Sequence, residues 1–388
     1  MYLEESIKMI YLDNASTTKP SLAVCEAVNE ALVNFGNPSS MHRLGIDAEN
    51  IIKKARENVA DILSCSPKNI YFTSGGTESN NTAIFGAVLK NMKRGKHIIT
   101  SKVEHPSVLE PFKKLEENGF SVSYINLDSS GKVDLKELDE QLREDTIFVS
   151  IMYVNNETGA IMEIEKIKDL MRKKSQYALL HVDAVQGFGK LYCNPQKWGI
   201  DLLSASAHKI HGIKGTGILY IRDNVNINPF VIGGGQQSDM RSGTENTVGI
   251  YALSKACEKI KDYNKEHIKE LREYLKNGII KNIERVRVNE ADEKNQAPHI
   301  LNVSFMGVRS EILLHSLEMY DIYVSTGSAC STNKPMKSHV LNALGCSAEE
   351  IDGALRFSFC EDLSKEDMDI VINALVREVG SIRKYTRK

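Results

Sequence analysis

His181-Val182-Asp183-Ala184-Val185-Gln186, followed by Leu202-Leu203-Ser204-Ala205-Ser206-Ala207-His208-Lys209, decides the reading of this chain. Each stretch is a short apolar run that ends in polar residues, the pattern of a buried strand leading into a loop. In an open, mostly parallel sheet, ligands bind in the crevice beyond the carboxyl ends of the strands. A carboxylate closing one strand and a lysine just past the next would then point into the same crevice. Strand-end charges are by default surface groups. Here Ser206 and His208 flank the lysine with hydrogen-bonding groups, and Gly212, Gly215 and Gly217 follow it.

Working outward, short apolar runs recur at Ile70-Tyr71-Phe72, His97-Ile98-Ile99-Thr100, Ile147-Phe148-Val149-Ser150 and Leu179-Leu180-His181-Val182. Between them lie segments of helical spacing, such as Val24, Ala27, Val28, Ala31 and Leu32. The alternation predicts an α/β fold with a mostly parallel sheet wrapped by helices. After Gly233-Gly234-Gly235 the texture changes. A long helical pattern runs through Ile268, Leu271, Leu275 and Ile279, then a strand at Ile300–Phe305, a helix through Leu313 and Leu317, and a strand at Ile322-Tyr323-Val324. A closing helix is announced by Ser364 three residues before Asp367, a capping signature. The expected division is a large domain over residues 15–255 and a smaller α/β domain from residues 1–14 plus 256–388.

The bulk numbers narrow the function. The 388 residues are 41% hydrophobic and 26% charged, the composition of a soluble globular protein. Lys plus Arg at 49 against Asp plus Glu at 51 gives a net charge of -2, which offers no argument for a nucleic-acid or membrane partner. No apolar run approaches the roughly 18 residues of a membrane span, and the first residues lack the regions of a signal peptide, so the cytoplasm is the expected location. Seven cysteines without a Cys-x-x-Cys pair argue against a disulfide framework and a zinc site. They are expected to be free thiols, with Cys25, Cys257 and most of the others small buried hydrophobes.

Asp183 and Lys209 are what pyridoxal phosphate requires: an amine for its aldehyde, and an acid that keeps the pyridine nitrogen protonated so that the ring draws electrons. A second phosphate candidate is Thr73-Ser74-Gly75-Gly76-Thr77-Glu78-Ser79, between a strand and a helix through Ala83 and Val88. Glycines there let backbone N–H groups reach an anion at a helix N-terminus.

Taken in order, these segments resemble the NifS/IscS cysteine desulfurases, within the class-V aminotransferases and the fold-type-I pyridoxal-phosphate transferases. The resemblance covers nearly the whole chain, from Tyr11-Leu12-Asp13-Asn14-Ala15-Ser16-Thr17-Thr18 through Gly36-Asn37-Pro38-Ser39-Ser40 to Arg356-Phe357-Ser358. It implies that Lys209 holds the cofactor covalently, that Asp183 partners the pyridinium nitrogen, and that His105 stacks on the ring. By the same matching, Asn156 and Gln186 contact the ring oxygen, while Gly76, Thr77, Ser206 and His208 hold the phosphate. Thr244 of Arg241-Ser242-Gly243-Thr244-Glu245-Asn246 reaches in from a second subunit, which implies a homodimer. Arg356 matches the arginine that clamps the substrate carboxylate.

Cys330 lies in Ser325-Thr326-Gly327-Ser328-Ala329-Cys330-Ser331-Thr332-Asn333-Lys334, a polar, glycine-containing segment whose neighbours predict exposure. It resembles the Ser-x-x-Ser-Ala-Cys loop of the family's first group. Cys330 is then the nucleophile that takes sulfur from L-cysteine as a persulfide, leaving alanine, with Lys209 moving the Cα proton and His105 shuttling one at the substrate thiol. An aminotransferase, a selenocysteine lyase or a non-catalytic cofactor-binding scaffold is the alternative. Ala207 and Ile213 stand where many relatives carry glycine and proline. Ile213 and Gly235-Gln236-Gln237 resemble desulfurases that feed a tRNA sulfurtransferase; an iron–sulfur scaffold is an equal candidate for the acceptor.

Overall fold

The structure, a computed structural model, describes residues 8–260, 263–326 and 338–386. Its main sheet has seven strands: β2 (Ile70–Thr73), β3 (His97–Ser101), β4 (Ser121–Ile125), β5 (Thr146–Met152), β6 (Leu179–Asp183), β7 (Leu202–Ser206) and β8 (Gly217–Ile221), in the order β2-β8-β7-β6-β5-β3-β4. All neighbours pair parallel except β8, which runs antiparallel to both β2 and β7. Strands β3, β5, β7 and β8 are buried along their whole length, which is why they read as continuous apolar runs rather than alternating ones. His181 is the polar exception inside β6. Its two ring nitrogens meet Ser150 Oγ on β5 at 2.8 Å and Ser204 Oγ on β7 at 2.9 Å, and burial holds its pKa at about 3.

Helices α1 (Leu22–Val33) and α2 (Arg43–Leu63) precede the sheet. Its strands are connected by α3 (Gly76–Asn91), α4 (Pro106–Glu117), α5 (Leu135–Gln141), α6 (Ile164–Lys174) and α7 (Pro195–Trp198). Beyond it come α8 (Thr247–Lys259), α9 (Lys265–Asn282), α10 (Ser310–Glu318), α11 (His339–Ala343), α12 (Ala348–Asp352) and α13 (Lys365–Thr386). Two small sheets complete the fold: β9 (Val286–Val288), β10 (Ile300–Phe305) and β12 (Ala354–Ser358) pair antiparallel, and β1 (Ile10–Tyr11) pairs parallel with β11 (Ile322–Tyr323). Buried residues of α9, α10, α13 and these sheets, among them Leu275, Phe305, Leu313, Phe357 and Leu375, form an apolar cluster separate from those of the main sheet, while Ile300 of β10 packs into the main-sheet core. The capping signature closes as read: Asp367 N donates to Ser364 Oγ and Ser364 N to Asp367 Oδ2.

One expectation fails. Cys25 is exposed, not buried, and Leu32 is 62% exposed. The core-facing stripe of α1 is only Val24, Ala27 and Ala31, so positions one residue off it face outward. Cys193, Cys257 and Cys346 are buried as expected, and the six described cysteines are free thiols.

Candidate active site

Every strand of the main sheet but β4 and β8 leads into one cavity of about 260 Å³. After β2 comes α3 with Gly76 and Thr77, after β3 His105, after β5 Asn156, after β6 Asp183 to Gln186, and after β7 Ser206 to Lys209. Arg356 reaches the cavity from β12. The cavity thus gathers ten of the twelve residues read from the sequence. Thr244 is exposed and does not line it, and Cys330 lies outside the described residues.

Lys209 follows β7 in a 3-10 turn, and its Nζ donates to the carbonyls of Ala15 and Ser16, both at 2.6 Å. The segment before α1 therefore aims the amine. Asp183 accepts from Val185 N at 3.0 Å through Oδ1 and from Asn80 Nδ2 at 2.8 Å through Oδ2. Asn80, on α3, is a cavity residue that the sequence reading missed; in sequence it is one polar residue in Ser79-Asn80-Asn81. The same amide donates to Ser107 Oγ at 2.8 Å, and Ser107 meets His105 Nδ1.

His105 is the N-cap of α4, its Nδ1 accepting from Ser107 N at 3.1 Å. Burial holds its pKa below the ordinary histidine range; Asp183 pulls upward, and Lys209 and His339 push it further down. The preceding Glu104 is fully buried, and burial pushes its pKa up to about 8 against hydrogen bonds from Ser101 and Met152 N. Burial thus favours its neutral, protonated form. For His208, burial first and then Lys209, Lys214 and Lys190 hold the pKa at about 4, so the ring is neutral.

Arg356 is 3% exposed. Nη1 donates to Asn156 O at 2.8 Å, and Nη2 to Asp13 Oδ1 at 2.8 Å and Ser16 Oγ at 2.7 Å. Asp13 and Ser16 were also not read from the sequence as parts of the site. Nε has no partner among the described residues.

The residues fit a phosphorylated, hydrogen-bonding aromatic group. The N-cap of α3 is Gly75, which offers no side-chain cap, so the first-turn N–H groups stay available for an anion. A Cβ on Gly76 would lie 2.8 Å from Val185 Cγ2. Gln186 Oε1 and Asn80 Oδ1, both buried, also lack partners among the described residues.

A family model described as class-V aminotransferase matches residues 10–371. A relative named cysteine desulfurase IscS, from Dictyoglomus turgidum, is 42% identical over 96% of this chain and 95% of its own length. The chain belongs to the class-V aminotransferases and, within them, to the cysteine desulfurases. A second cysteine desulfurase, from Nostoc, is 41% identical over 97% of this chain and 94% of its own. A solved structure titled NifS-like protein superposes with a TM-score of 0.89 at 37% identity, covering 96% of this chain and all of that one. Cysteine desulfurases depend on pyridoxal 5′-phosphate, the group that the cavity fits.

Proposed function

We propose that this chain takes sulfur from L-cysteine, giving L-alanine and a persulfide on Cys330. The observation that carries the reading is the convergence of Lys209, Asp183, His105 and Arg356 on one cavity, in a chain that matches cysteine desulfurases along nearly its full length. When bound, pyridoxal phosphate supplies an electron sink for the substrate Cα. Lys209 would tether it, Asp183 would face its ring nitrogen, and Asn156 and Gln186 its ring oxygen. The first turn of α3, Ser206 and His208 would hold the phosphate.

The chain's own groups then act on the substrate. Arg356 orients the carboxylate through a planar fork already aimed by Asp13 and Asn156 O. Lys209 Nζ takes the proton from Cα. The Cys330 thiolate attacks the substrate sulfur: the C–S bond breaks, an S–S bond forms, and the carbon that lost sulfur gains a proton to become the alanine methyl. One cysteine and one thiol yield one alanine and one persulfide, so no outside oxidant or reductant is needed.

The assembly belongs to the same reading. Thr244 would complete the phosphate site of a second copy, and the exposed Phe35, Met41 and Ile232, at 79%, 96% and 83%, are apolar surface for such a partner. The large domain would span residues 15–255, with residues 1–14 plus 256–388 carrying the cysteine loop. The cytoplasm fits a chain in which, among the described residues, no helix is long and apolar enough to cross a membrane. The acceptor is an iron–sulfur scaffold or a tRNA sulfurtransferase. The test is to supply pyridoxal phosphate and L-cysteine and quantify products: alanine equal to sulfur released by reductant is expected, whereas a keto acid in place of alanine would move the chain to the aminotransferases.

A further inference from the structure

The hydrogen bonds running from Asp183 to His105 have a direction fixed by their two ends. A carboxylate oxygen accepts, so the Asn80 group 2.8 Å from Asp183 Oδ2 is the amide NH2, whose second hydrogen reaches Ser107 Oγ, also at 2.8 Å. At the far end a backbone N–H only donates, so His105 Nδ1, 3.1 Å from Ser107 N, presents its lone pair. Ser107 Oγ, accepting from Asn80, turns its own hydrogen to the same nitrogen at 2.8 Å. Asn80 and Ser107 are both buried, at 1% and 9% exposure, so bulk water has little access to these groups. With Nδ1 held as an acceptor by two donors, a neutral ring carries its proton on Nε2.

We propose that Asn80 and Ser107 are positioning residues that lock His105 in the Nε2–H tautomer, so that at the cavity it donates from Nε2 and does not remove a proton there. The proposal deepens the desulfurase reading and rests on it only for the identity of the group that receives this hydrogen bond. It also refines the expectation of a shuttle at the substrate thiol. Accepting a proton at Nε2 requires the other tautomer, in which an Nδ1–H would confront the Ser107 amide and Ser107 Oγ would have to turn its hydrogen away. Donating a hydrogen bond from Nε2 needs no such rearrangement. Asp183 on β6, Lys209 after β7 and His339 on α11 are the charged or titratable groups that bear on the ring, and Glu104 precedes it in the chain. None of these groups distinguishes the two ring nitrogens as the Ser107 contacts do.

The test is 15N magic-angle-spinning NMR of the full-length holoenzyme labelled at histidine, with the His105 signals assigned by their loss in His105→Asn. Wild-type protein is expected to show a protonated Nε2 and a lone-pair Nδ1. Ser107→Ala removes one Nδ1 donor, and Asn80→Ala frees the hydroxyl to rotate away; each is expected to raise the His105 titration by about 0.5–1 pH unit, while Ser107→Thr keeps the wild-type value. A wild-type ring protonated on Nδ1, or a titration that Ser107→Ala leaves in place, would overturn the proposal. A shift with Ser107→Ala but none with Asn80→Ala would remove Asn80 from it. The ring reports its own tautomer, so this result stands or falls separately from sulfur transfer.

Discussion

Arg356 is positioned before any substrate arrives, with Nη1 and Nη2 committed to Asn156 O, Asp13 and Ser16. Lysine keeps the charge but not the planar fork, so Arg356→Lys is expected to raise the KM for L-cysteine about 10-fold to 100-fold in steady-state assays, with less effect on kcat. Glu104 supplies a second test at this scale. Its folded pKa of about 8 lies above the ordinary carboxyl value, so between roughly pH 4.5 and 8 the folded chain binds a proton that the unfolded chain has released. Stability is therefore lost as pH rises through that window, by about 1.4 kcal/mol per pH unit at most. Glu104→Gln, which keeps an acceptor for Ser101 and Met152 N, should flatten that slope in denaturant titrations; an unchanged slope would place the proton elsewhere. Neither Glu104 nor Asn80 was legible in the sequence, since each is one polar residue within a helical or strand-end pattern. Their importance comes from β5 and β6 lying beside them in space.

At the scale of elements, the strands were legible because the buried ones must be apolar on both faces, and the crevice followed from a parallel sheet having its strand ends on one side. The facing of α1 was not: its apolar residues are more numerous than its core positions, and only packing against α8 selects among them. In the proposed reading the phosphate sits at the α3 N-terminus, which is bare of a side-chain cap. Gly76→Val would drive a branched side chain toward Val185 and over the first-turn N–H groups. Cofactor titration followed by absorbance should show affinity reduced at least about tenfold with the fold retained; wild-type affinity would move the phosphate away from α3.

For the whole molecule, the decisive feature is that Thr244 is far enough from the cavity not to line it, although it lies three residues from Arg241, whose guanidinium pairs with Glu78 in the first turn of α3 at 2.9 Å. A site shared between two copies predicts complementation. Lys209→Ala and Thr244→Asp chains should each be inactive alone, and co-expressed they should recover about a quarter of wild-type activity, because half the dimers are mixed and each of these holds one complete site. No recovery, in mixtures shown to contain the mixed dimer, would confine the site to a single chain. The sequence pointed to the second copy only through its resemblance to a family, since nothing in Arg241-Ser242-Gly243-Thr244 states by itself which chain it serves.

Whether Cys330 receives the sulfur is tested most directly by a single-turnover reaction. Holoenzyme mixed with one equivalent of L-cysteine, quenched and digested, should give one equivalent of alanine and a Cys330 peptide heavier by one sulfur atom, while Cys330→Ser should slow alanine formation at least about a hundredfold. Alanine formed by Cys330→Ser at the wild-type rate, with no sulfur on Cys330 in the wild type, would contradict the account.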